Sequence, residues 1–340
     1  MRLIIIVFVL FCFQTSFSQN ITGIENFVLA SEEDRTTLAH EYFSPMFNSF
    51  QISMSEGWVK TAKTHKKLGF DFTFMMSAIN IPKSAQNFST QNLGNISSSS
   101  SINPTIFGGE SSGNYLVDYS PADSEHTFST SFDAPNGHED LLINNRLLLP
   151  NLQFSIGIPF KTDLMIRVMP ETQTKGAKFN SYGLGIKHDI LQYFKPAKVT
   201  PFNVSILANY SKLNGDYIIG SDSQLSGENQ SILLEVDNTS AGLIVSADLK
   251  VVSFYASVSQ VLSTSSFKVN GNYDLNYSSS ISDNESLQIT VTDPISIENK
   301  LDYLKKNVGV AFNFAFLNVF LDYSIQEFNS VNLGLSLGVR

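Results

Sequence analysis

From Leu68 to the last residue, apolar side chains recur at every second position. Phe70, Phe72, Phe74, Met76 and Ala78 alternate with Gly69, Asp71, Thr73, Met75 and Ser77. Leu152, Phe154, Ile156 and Ile158 repeat the pattern, and Leu164, Ile166 and Val168 do so with Arg167 on the opposite face. Tyr182, Leu184 and Ile186 stand against Gly183, Gly185 and Lys187; Phe202, Val204, Ile206, Ala208 and Tyr210 stand against Asn203, Ser205, Asn209 and Ser211. Further ribbons run through 243–249, 252–259, 308–316 and 319–326. The chain ends on Val331, Leu333, Leu335, Leu337 and Val339, with Asn332, Gly334, Ser336 and Gly338 between them. Successive strand side chains point to opposite faces, so each segment predicts a strand with one apolar face and one small or polar face.

The connections sort these strands. Residues 81–145, 170–177, 214–237 and 264–302 are long, polar gaps; those at 158–161, 190–200, 250 and 316–318 are mostly short. Long loops alternating with short turns is the parity of an outer-membrane barrel, whose turns face the periplasm and whose loops face outward. The predicted fold is therefore all-β: an antiparallel transmembrane β-barrel over residues 67–340. Hairpins hidden in the two largest gaps, such as Phe267 to Tyr273 with Ser286 to Val291, raise the expected count to roughly 12–14 strands. A secreted β-sandwich also alternates, but it explains neither the loop parity nor a final strand running to the last residue.

The N-terminal part has a different texture. Arg2 followed by the apolar run Leu3 to Phe13 reads as a signal peptide over residues 1–18, too short to span a bilayer as a helix. Cys12 is the only cysteine, so a processed chain has no disulfide. Residues 19–66 are predicted to form a periplasmic plug or cap with a short helix. Ser31 is a candidate N-cap ahead of Glu32, Glu33 and Asp34, and Leu38, Tyr42 and Met46 follow at four-residue spacing until Pro45 disturbs the end.

Composition supports the membrane reading. Charged residues make up 16% of the chain, below the ~25% of ordinary soluble domains, while the net charge of −9 argues against a nucleic-acid partner. No stretch after the leader approaches ~18 consecutive apolar residues, which removes a transmembrane helix.

Several short strings carry a resemblance. Pro45, Gly57-Trp58, Leu68-Gly69-Phe70-Asp71, Ile81-Pro82 and the run Gly183-Leu184-Gly185-Ile186-Lys187-His188-Asp189-Ile190 together resemble an uncharacterised family of Bacteroidetes outer-membrane β-barrel proteins. More distantly, an N-terminal segment ahead of a mid-sized barrel is similar in architecture to the long-chain fatty-acid transporter family. In that family the segment is a hatch in the lumen, and hydrophobic substrates pass through the barrel wall. No binding residue of that family has a counterpart in this sequence.

Candidate chemistry lies on the polar faces. Asp71, Arg167, Lys187, Asp189, Asp248, Lys250 and Asp322 are all assigned to the lumen, and Tyr255 joins them with Met75, Ile244 and Phe320 as bulkier inward groups. An Arg or Lys on the lipid face near the midplane would cost ~2–4 kcal/mol, so this shared placement is required of a barrel. The charges either line a conduit or pair across a packed lumen. The five histidines show no metal-ligand spacing, and neither a metal nor a cofactor is expected. His188-Asp189, at a strand end, is the best handle for a barrel-embedded lipid hydrolase, but His188 falls on the lipid side, and no enzymatic activity is expected. Asp274, Asp283, Glu285, Asp293 and Glu298 match no EF-hand spacing and read as a solvated loop.

The resulting expectation is a bacterial outer-membrane channel or transporter for a small solute, a hydrophobic one suiting the apolar lumen patches. Its partners are outer-membrane lipid, lipopolysaccharide and the barrel-assembly machinery. The alternative is a closed structural or adhesive barrel acting through its outer loops.

Overall fold

A computed structural model describes residues 23–91, 93–94, 96–120, 127–174, 176–194, 201–219, 225–279 and 286–339. The expected leader, His126, Asp283 and Glu285 lie outside the described residues. Ten strands close into a barrel: β1 (Phe70–Asn80), β2 (Arg146–Ile158), β3 (Thr162–Thr174), β4 (Ala177–Asp189), β5 (Phe202–Ile218), β6 (Gly227–Asp248), β7 (Val252–Ser279), β8 (Ile295–Phe314), β9 (Leu317–Ile325) and β10 (Ser330–Val339). Each pairs antiparallel with its neighbours in the chain. The last strand closes on the first, in a register running from Phe70↔Val339 to Ile79↔Ser330.

The barrel thus has ten strands where 12–14 were expected. The residues set aside for extra hairpins lengthen existing strands instead: β6, β7 and β8 run for 22, 28 and 20 residues. The hairpin expected near Phe267 and Ser286 forms in part, because Ser286–Thr292 pairs with Asn272–Ser278 of β7 beyond the barrel. For the same reason two of the long gaps shrink. The 170–177 gap closes to residues 175–176, since β3 runs to Thr174 and β4 starts at Ala177. The 214–237 gap shrinks to 219–226. The 264–302 gap shrinks to 280–294, and 81–145 remains the largest excursion. It forms a canopy over the long-loop mouth, in which Asn114–Tyr119 pairs with Phe128–Asp133, itself joined to the tip of β7 through Ser278↔Ser129.

The outer surface carries the apolar faces. Leu164, Ile166, Leu184, Ile206, Leu243, Val258, Val308, Leu321 and Leu335 are exposed there, with Tyr182, Tyr210 and Tyr323 toward the loops and Phe70, Phe160, Phe202 and Phe254 toward the turns. From Phe254 to Leu262 this band spans eight residue steps, about 27 Å of strand or roughly 21 Å of height at a ~40° tilt, close to the ~25 Å apolar belt of an outer-membrane barrel.

The N-terminal helix is longer than expected. Helix α1 runs Glu32–Ser55, with the Ser31 hydroxyl accepting the Asp34 N–H at 3.3 Å. Pro45 sits inside it without ending it. Proline removes one helical hydrogen bond and costs ~3 kcal/mol in an exposed helix, but here barrel wall and canopy bury Tyr42, Phe43, Met46, Phe47 and Phe50 around it. That packing overrides the local propensity.

Candidate functional site

Residues 23–69 occupy the lumen along its whole height, and the fill has two layers. Toward the loops α1 meets an apolar shell: Phe43 lies 4.6 Å from the Phe267 ring and Phe50 5.2 Å from Phe179, with Leu213, Leu234, Val236 and Ile297 buried in the same cluster. Toward the turns the chain leaves the helix at Glu56 and Gly57 and continues to Lys67 among polar wall residues.

Gly57 turns with φ +67°, and a Cβ there would run into the Met75 sulfur, so this turn requires glycine. The fully buried Glu56 carboxylate stands 3.1 Å from Lys305 Nζ and accepts hydrogen bonds from Ser324 (2.8 Å), Gln326 (2.6 Å) and Asn332 (2.5 Å). One carboxylate thereby ties the plug to β8, β9, β10 and the turn after β9.

Trp58 and Arg167 form the next tie. The Arg167 guanidinium lies 3.9 Å over the indole ring, while its nitrogens donate to the Glu56 carbonyl at 2.6 Å and to Gln153 Oε1 at 3.0 Å. Arg167 is only 2% exposed, and the π face and two carbonyl-type oxygens replace its water. The indole fits because the wall beside it is bare: a Cβ on Gly185 would stand 2.7 Å from its ring, and one on Gly183 3.1 Å.

Below this, charges alternate. Lys60 Nζ lies 2.6 Å from Asp71 Oδ1; Asp71 Oδ2 is 2.9 Å from His65 Nε2; His65 Nδ1 is 3.1 Å from Asp163 Oδ2; and that oxygen is 3.1 Å from Lys187 Nζ. All five residues are buried. Lys60 with Asp71 and Lys187 with Asp163 each place opposite charges in contact, which offsets the cost of burying them, and the His65 ring stands between the two carboxylates. Lys187 also donates to the Lys63 carbonyl at 3.0 Å, and Thr61 donates to Asp248 at 2.7 Å.

Among the sequence-predicted residues, Asp71, Arg167, Lys187 and Asp248 thus contact the plug directly. Tyr255 and Asp322 pair with each other at 3.0 Å, and Asp322 also accepts from Asn307 and Asn332. Asp189 is held at the turn end by Lys161 at 3.0 Å. Lys250 departs from its expected lumen position: it sits exposed in the turn between β6 and β7. There it borders a polar cavity of about 380 Å³ with Lys63, Asp248, Ser253, Asn313 and Asn318. His188 stands half-buried on the outer side, bonded to Thr162 (2.7 Å) and Tyr193 (3.1 Å).

Sequence reasoning missed Glu56, Trp58, Lys60 and His65, because the plug has no periodicity to reveal which side chains meet the wall. Asp163 and Lys305 were findable, since they share the inward parity of Arg167 and of Asn307.

The family model described as "Family of unknown function (DUF6588)" matches residues 1–339. The chain belongs to this family. No curated protein matches it. Among solved structures it is similar to the translocator domain of the autotransporter NalP from Neisseria meningitidis, at 11% identity over 90% of this chain and 98% of that chain, with a TM-score of 0.28. It is also similar to the transport unit of the autotransporter AIDA-I from Escherichia coli, at 8% identity over 87% and 99%, TM-score 0.29. A FadL homologue from Pseudomonas aeruginosa gives 11% identity over 81% and 90%, TM-score 0.22. Likeness at this level carries no inference about this chain.

Proposed function

We propose that this protein is a bacterial outer-membrane barrel that stands closed and works at its loop end, as a structural or adhesive surface protein. The observation that carries the reading is the lumen, filled from one mouth to the other by residues 23–69 and tied to the wall by buried ion pairs at Glu56 and Lys60 and by His65 between Asp71 and Asp163. The exposed apolar belt supports the membrane location, with outer-membrane lipid and lipopolysaccharide around it and the barrel-assembly machinery inserting it. No catalytic step is assigned.

A second reading is transport of a small hydrophobic solute. It is favoured by an apolar cavity of about 50 Å³ between α1 and the wall, lined by Ile24, Phe43, Met46, Phe179, Ile232 and Phe267. Passage along the lumen would require the plug to move.

Single-channel recording of the intact protein in planar bilayers separates the two. The closed barrel holds conductance at background across the voltage range, and swelling assays show no uptake. Steady conductance or solute uptake by the intact protein overturns it in favour of transport.

A further inference from the structure

The threading of the plug has a direction. Gly23 lies beside Pro135 in the canopy. The Leu29 carbonyl accepts from Tyr277, 25 residues beyond the start of β7 at its turn end. Asp34 accepts from the Gly94 N–H, and the Tyr42 hydroxyl donates to the Asn136 carbonyl, both in the canopy. Lower down, the Gln51 carbonyl accepts from Asn238, and the Met54 carbonyl from Ser211, in mid-strand. Glu56 and Trp58 follow, then Lys60 at Asp71 and Thr61 at Asp248. Finally His65 reaches Asp163 and the Leu68 N–H bonds Gly157, at the turn end. No contact in this series reverses the order.

From these contacts we infer that the protein carries its own N-terminal end through its barrel, so that Gly23 and the first turn of α1 stand at the outer face. The inference rests on the outer-membrane reading above, with turns inward and loops outward. Reach permits it: the 24-residue helix is about 36 Å long, and the extended residues after it add several ångströms each, against a belt of ~25 Å. The filling also dictates when threading happens. Because the same residues that hold the plug line the wall, the segment is best accommodated if the wall closes around it. The barrel thereby brings the start of α1 to the surface side without a separate conduit.

The test is accessibility of single cysteines to a membrane-impermeant maleimide on intact cells, in a Cys12→Ala background. Glu33→Cys, on the exposed side of the first turn of α1, reports the N-terminal end; Ser112→Cys in the canopy and Lys250→Cys in the β6–β7 turn report the two faces. Labelling of E33C on intact cells, at the level of S112C and with K250C labelled only after permeabilisation, is the expected result. E33C protected until permeabilisation while S112C labels overturns the inference and leaves the orientation standing. S112C protected and K250C labelled overturns the orientation, and the inference with it. An epitope inserted immediately before Gly23 and read by antibody on intact cells separates the same outcomes without a helix substitution.

Discussion

Glu56 offers the sharpest test of whether the plug is held by its buried charges. Removing the carboxylate, as in Glu56→Met, leaves the Lys305 ammonium in the lumen with the Ser55 carbonyl at 2.7 Å as its hydrogen-bond acceptor. It also strips an acceptor from Ser324, Gln326 and Asn332. Breaking a buried pair from one side costs ~3–5 kcal/mol. That raises the population of plug-released molecules by roughly two to four orders of magnitude. Lys305→Met should cost a similar amount for the converse reason. The double variant should cost less than the sum by ~1–3 kcal/mol, since neither charge is then buried alone. The probe is built in: Trp58 is the single tryptophan of the chain, 3% exposed and stacked on Arg167. Urea titration of the detergent-solubilised barrel, followed by the red shift of Trp58 emission, therefore reads the plug and not the belt. If E56M and K305M each leave the Trp58 transition within ~1 kcal/mol of wild type, or if their effects simply add, the pair does not hold the plug.

Gly185→Val should crowd the indole, because even a Cβ there meets it at 2.7 Å. We expect a loss of ~1–3 kcal/mol in the same titration, with shifted emission in the native state; native-like emission and midpoint would refute the close fit. Leu184→Arg, one residue away but pointing outward and 59% exposed, should cost ~2–4 kcal/mol in lipid by equilibrium folding into vesicles, and an unperturbed L184R would remove the belt from the membrane. Tyr255→Phe removes a donor to Asp322 at 3.0 Å and should cost ~1 kcal/mol, read as a lowered midpoint in circular dichroism melting; an unchanged midpoint would refute the bond's contribution.

The wall was legible in the sequence because its code is local. A period of two assigned Asp71, Arg167, Lys187 and Asp322 to the interior, and the structure buries all four. Strand length was not legible, since β7 keeps its alternation far beyond the belt and a continuing strand looks like the start of a hidden hairpin. The plug was the least readable part. Its contacts join residues more than a hundred positions apart, such as Thr61 with Asp248 and Glu56 with Asn332, and no spacing along one chain announces them. Beyond the helix signals at Ser31 and Leu38 to Met46, its trace lay in the wall, where Gly183 and Gly185 leave the hollow that Trp58 fills.

Among the described residues, the canopy joins the ladder of the tall side of the barrel through two residue pairs, Ser278↔Ser129 and Ser279↔Phe128, with Tyr119 stacked on Tyr277 beside them, whereas β6 and β7 are joined along nearly their whole length. A pull on the canopy would load that short seam and the canopy's bonds to α1 at Asp34 and Tyr42 before it reached the wall below. The lengths of the two seams set the order of parting: under force the roof would leave β7 before β7 left β6.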